Sequence, residues 1–112
     1  MTTEKIDSKE LWSLDLTLTD FILPRLIAFR NGEGNSHSDG PAGSPLLEGY
    51  AFESQTPEED SKMYQEWLGI LDKMIRAFEL HKNHYSDYDN TIDKEIKEGL
   101  SLFAKYYQYL WD

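Results

Sequence analysis

The stretch Thr56 to Tyr85, TPEEDSKMYQEWLGILDKMIRAFELHKNHY, limits the fold more than any other part of the chain. Its start is written into it. Thr56 is placed to cap the backbone N–H three residues on, Pro57 sits where a missing N–H costs nothing, and Glu59 completes a capping box. Tyr64, Trp67, Leu68, Leu71, Met74, Ile75 and Phe78 then recur at steps of three and four, which places them on one face of a long helix. A face of that size requires other helices or a sheet to cover it.

The remaining periodicities supply helices. LWSLDLTLTDFILPRLIAFRNG carries two signals: Trp12, Leu14, Leu16 and Leu18 alternate with polar residues as in a strand, while Leu18, Phe21, Ile22, Leu26 and Phe29 follow helical spacing. A lone strand lacks a partner and Asn31-Gly32 makes a helix stop, so the spacing predicts a helix from about Asp15 or Thr17 to Arg30, kinked or broken near Pro24. Its apolar residues cover nearly all sides, which predicts a place in the middle of a bundle. After a polar turn at Ser86 to Asn90, with Asn90 and Asp93 at a helix start, Ile92, Ile96, Leu100, Phe103, Tyr107 and Leu110 define the buried stripe of a last helix. Gly99 and Ala104 lie in the same arc and permit close helix approach. A short turn between amphipathic helices implies an antiparallel hairpin. The fold class expected is all-α: a small three-helix bundle forming a single domain over residues 1–112, with residues 1–10 frayed and 31–55 a long acidic loop rich in Gly and Ser. Leu46, Leu47, Tyr50 and Phe52 are expected to drape over the bundle.

Composition removes several functions. The chain has no cysteine, so disulfides, cysteine metal sites and thiol nucleophiles are excluded. Its polar start and short apolar runs argue against a signal peptide or a membrane span, and the chain reads as cytoplasmic. The net charge of −10 is unevenly spread: residues 32–60 hold seven acids and no base, against −1 for residues 1–31 and −2 for residues 61–112. No helix has a net basic face, which argues against nucleic-acid binding. No phosphate loop, nucleophile elbow or His-Glu-x-x-His helix occurs, and no cofactor is implied.

Several clusters merit testing against a structure. Asp87, Asp89, Asp93 and Glu98 have the spacing of calcium-loop oxygens, but Ile92 stands where such a loop needs Gly, and turn or capping roles explain them better. His81 and His84, with Asp87 or Asp89, form a weak metal-ligand set beside the ordinary role of His at a helix C-terminus. Arg25 falls in an arc assigned to the core, which predicts a buried ion pair with Asp72, Glu79 or Asp15. On the last helix Glu98, Leu102, Lys105 and Tyr109 form a row opposite the buried stripe. With Tyr106 and Trp111 this row is a candidate partner surface, unless Trp12 or Leu14 covers it.

WSLDLT, FILPRL, EWLGILDKMIRAFE within the long helix, and EGLSLFAKYYQYLWD together resemble a group of small bacteriophage-encoded hypothetical proteins. The resemblance spans the three helical segments. It implies a phage origin and expression in a bacterial cytoplasm, and it brings no activity, ligand or catalytic residue. The function expected is non-catalytic: a protein that works by self-association or by modulating a host protein. The alternative is an acidic mimic of DNA that inhibits a host nucleic-acid-binding protein; a metal-binding protein or enzyme using the Asp87–Asp93 turn ranks third.

Overall fold

A computed structural model of the chain describes residues 5–33, 40–51, 56–87 and 89–111. The protein is all-α, with no strand among the described residues. A short helix α1 (Lys9–Trp12) leads into α2 (Leu14–Arg30), then come α3 (Pro57–Asn83) and α4 (Asn90–Tyr106), and Tyr107–Tyr109 form a closing 3-10 turn.

The long helix begins where its sequence says it should, with Thr56 Oγ1 accepting from the Glu59 N–H at 3.2 Å and Pro57 in the first turn. The start of α4 is one residue earlier than the spacing predicts. Asp89, not Asn90, is the cap, accepting from the Ile92 N–H at 2.9 Å. Residues 14–19 are helical despite their alternation, because a strand there would have no ladder partner for its backbone groups. Pro24 lies inside α2 on an exposed side, where losing the bond to the Asp20 carbonyl leaves that oxygen to water. Residues 9 and 10, expected to fray, belong to α1, whose entry is tied by Asp7 Oδ1 accepting from the Lys9 N–H and Glu10 Oε2 accepting from the Asp7 N–H.

The central element is α3, not α2. Trp67, Leu71 and Met74 are fully buried, and α3 packs against α2 on one side and α4 on the other. Both neighbours run antiparallel to it, as cross-helix pairs require: Arg30 with Asp72 and Lys82 with Asp20 on the α2 side, Lys73 with Glu98 and Arg76 with Glu95 on the α4 side. Among the described residues no Cα of α2 comes within 8 Å of one in α4. The two outer helices share a partner without touching each other along their backbones.

The α3–α4 seam is set by Gly99. A methyl group there would overlap the Ala77 Cβ and the Lys73 carbonyl oxygen, so the two backbones are as close as a residue without a side chain allows. Close approach at that point fixes the rotation of α4: Ile96, Gly99 and Tyr106 are buried, and Tyr106 meets Trp67 edge to face with ring centroids 5.4 Å apart. Ala104, expected beside Gly99 in the seam, faces solvent.

The connection between α2 and α3 is not slack where it is described. Leu47 is buried in the core, Tyr50 is half-buried against it, and Pro41 accepts a hydrogen bond from the Tyr64 hydroxyl at 2.8 Å. Lys105 on α4 holds Glu48 at 2.8 Å. Leu46 is exposed, and Phe52 lies outside the described residues.

Candidate functional site

Because α2 and α4 both pack on α3 without touching each other along their backbones, an apolar groove of about 560 Å³ runs between them. Leu18, Phe21 and Phe29 line it from α2, and Phe103, Tyr107 and Leu110 from the α4 side. Phe21 is 59% exposed and Tyr107 64%, and Leu14, Leu18 and Leu100 are also exposed. A smaller apolar recess of about 270 Å³ adjoins it, sharing Leu18, Ile22 and Phe103 and reaching back to Phe78 and Ala77. Phe103 is clasped edge to face by Phe78 and by Tyr107, with centroids 5.3 and 5.6 Å away. The groove floor is therefore held by packing, while its rim is open to water.

The expected faces of α4 hold in part: Ile96 is buried and Phe103 and Leu110 pack on the core, while Glu98, Lys105, Tyr109 and Trp111 are exposed. Leu100 and Tyr107, assigned to the buried stripe, are exposed, whereas Leu102 and Tyr106, assigned to the partner row, pack on the core. The reason is the Gly99 contact, which turns the helix so that Tyr106 rather than Tyr107 meets α3. Other members of that row are engaged: Glu98 with Lys73 at 3.4 Å, and Lys105 with Glu48. The hydrogen bond between Lys105 and Glu48 raises the ammonium pKa and holds the carboxyl below its usual range. Tyr109 and Trp111 do remain exposed, beside residues Ala42 to Pro45. Trp12 is 76% exposed and Leu14 is open, so neither covers a neighbouring face.

Arg25 is likewise on the arc expected, but the arc is uncovered. Its guanidinium lies 3.7 Å from the centroid of the Phe21 ring and donates to the Phe21 carbonyl at 2.9 Å, with its side chain exposed to solvent. No buried carboxylate is needed there. Asp72 pairs instead with Arg30 at 2.9 Å, and Glu79 takes no part in the ion pairs among the described residues.

At the far end of the small recess the structure joins residues that the sequence left apart. His81 Nε2 stands 2.8 Å from Asp15 Oδ2, and His81 Nδ1 stands 3.1 Å from Thr19 Oγ1. The Tyr85 hydroxyl adds a longer contact to Asp15 at 3.4 Å. With its proton on Nε2 the imidazole donates to Asp15 and accepts from Thr19, and both ring nitrogens are satisfied. Partial desolvation pushes the Asp15 carboxyl up, but the hydrogen bonds it accepts from His81 and from the Leu16 N–H hold it below the ordinary value. The order Asp, His, Thr resembles a nucleophile triad, yet Thr19 is only 2% exposed. It also sits in the middle of α2, whose N–H groups are spent on the helix and cannot serve a developing oxyanion. The arrangement clamps α2 to α3. No local spacing in the sequence links Asp15 or Thr19 to His81.

The calcium-like set does not converge. Asp89 caps α4, Asp93 pairs with Lys97 at 2.8 Å, Glu98 reaches Lys73, and Asp87 lies 3.3 Å from His84. Among the described residues no three His, Asp or Glu side chains are grouped to hold a metal ion. No helix among them is long and apolar enough to cross a membrane.

No family model, curated protein or solved structure matches this chain. Its groove has to be interpreted from its own residues.

Proposed function

We propose that the protein acts by binding, as a phage-type accessory protein of a bacterial cytoplasm, and that it engages a protein helix along the groove between α2 and α4. The observation that carries this reading is the groove itself, aromatic and aliphatic on both walls and open at the rim. An exposed apolar patch of that extent is a recognised mark of an interaction site. The spacing along its two sides favours a helix as occupant: Leu18 and Phe21 on α2, continued by exposed Leu14, and Phe103 and Tyr107 on the α4 side, continued by Leu100 in the adjoining recess, follow the alternating steps of three and four of a coiled-coil seam. The closed helical bundle expected from the sequence then belongs to the complex, in which a further helix completes what α2 and α4 leave open.

A photoreactive phenylalanine at position 21, in the tagged protein expressed in bacteria, tests the reading. Adducts to a protein are expected from position 21 and not from position 46, where Leu46 is exposed away from the groove. Absence of adducts from position 21 would remove the proposal.

A further inference from the structure

Resting on that reading of the groove, we infer that its occupant is a second copy of this chain, seated face to face about a two-fold axis so that the exposed edge of α2 from each copy lies in the α2–α4 groove of the other.

A two-fold interface needs a surface that complements itself. This face supplies both halves. The exposed edge formed by Leu18 and Phe21, continued one turn back by exposed Leu14, is a ridge, and it stands directly beside a groove whose other wall carries Phe103 and Tyr107, with Leu100 in the adjoining recess. Rotation of one copy by half a turn brings each ridge over the other's groove, and the heptad-like steps on both walls let side chains interdigitate. Two helices from each copy then enclose one apolar layer, the arrangement of a four-helix core.

The area agrees with such a pair. From the fractional exposures, Leu14, Leu18, Phe21, Leu100 and Tyr107 offer on the order of 500 Å² of largely apolar surface, the size of a patch that is often an interaction site and a core that the rim of a standard-size interface would surround. The charge pattern agrees as well. The chain carries −10, yet among the described residues Arg25 is the sole charged one lining the main groove, and Asp15 at the edge of the adjoining recess is tied to His81. Two copies can therefore meet on this face without bringing acids together, and the interface centre is depleted in charge as homodimer interfaces are. Arg25 stays on its own Phe21 ring, a stacking that a close neighbour would desolvate and strengthen.

Light scattering of the purified chain over a range of concentrations tests this. The expected mass is twice 13.1 kDa, falling to 13.1 kDa on dilution. Phe21→Asp and Tyr107→Asp should each raise the dissociation constant at least ~30-fold, as loss of a central aromatic anchor does. Leu46→Asp, outside the groove, should leave it unchanged. Both groove residues are exposed, so unaltered far-UV circular dichroism is expected, and Phe21→Ser and Tyr107→Ser serve if a charge disturbs folding. A wild-type chain that stays at 13.1 kDa throughout overturns the inference; if position 21 nevertheless crosslinks to a different protein in cells, the docking reading survives, and if it crosslinks to nothing, both fall. A dimer insensitive to the groove variants but dissociated by Tyr109→Asp or Trp111→Asp would place the contact on the other aromatic face and overturn it too.

Discussion

The two helices that flank α3 use their apolar residues in opposite ways. α4 is amphipathic: its apolar stripe is one face wide, and the Gly99 contact brings much of that face down onto α3. α2 is apolar nearly all round, and only Thr19 and Leu26 along its length are buried. Ile22, Leu23 and Phe29 are half-buried against the core, and Leu14, Leu18 and Phe21 are left facing water. A helix with one apolar stripe can satisfy it in one contact, whereas a helix apolar on several sides needs several neighbours. Here α3 is a single neighbour. The surplus on α2, together with the edge of α4 that the seam turns outward, makes the groove.

From that difference, substitutions at the α3–α4 seam should cost far more stability than substitutions on the open side of α2. Trp67→Ala is expected to be the largest, about 3–5 kcal/mol in urea unfolding, since it empties a fully buried site that meets Tyr106 edge to face. A gentler change is informative there as well: the Trp67 Nε1–H is buried with no hydrogen-bond partner among the described residues, so Trp67→Phe should lose much less, because it also removes that donor. Gly99→Ala comes next. Alanine ordinarily favours a helix over glycine, but its methyl would press on a backbone carbonyl that cannot swing away, and a net loss of about 1–3 kcal/mol is expected in thermal unfolding. A stabilised Gly99→Ala variant would mean that the seam is looser than described.

On the α2 side the strongest single tie is the polar clamp. Thr19→Val keeps the shape of a buried side chain but leaves His81 Nδ1 without its partner, for an expected loss of about 1–2 kcal/mol. The same clamp predicts an acid-side dependence. Asp15 has a folded-state pKa below its ordinary value of 3.8, so the unfolded chain binds its proton first as the pH falls. Its contribution is therefore present above that value and is lost as the pH drops through the lower, folded value. Asp15→Asn should flatten the wild-type decline in stability in that acid window, and equal slopes for the two proteins would show that the clamp carries no charge-linked stability. Phe21→Ser should have the smallest effect, within about 0.5 kcal/mol at protein concentrations low enough to dissolve any assembly. A loss comparable with that of Trp67→Ala under those conditions would erase the distinction between the two sides.

What was legible in the sequence was local. Thr56 and Pro57 marked the start of α3 because capping depends on residues a few positions apart, and the steps of three and four marked the helices because periodicity is a property of a single element. Gly99 could be singled out as a point of close approach for the same reason, as a small residue within an apolar arc. The rotation of α4 about that point was not legible. Tyr106 and Tyr107 are adjacent in the chain and alike in chemistry, and only contact with Trp67 decides which of them turns inward. Arg25 shows the same limit, since its position on the helix was readable but whether anything covered that arc was not. His81 is more than sixty positions from Asp15 and Thr19 and meets them only because α2 runs antiparallel along α3. The sequence by itself thus determined the helices, their ends and their apolar content. The tertiary structure alone decided that α3 stands between the others and that an apolar groove stays open, because burial is a relation between elements and no single helix records how many neighbours it will have.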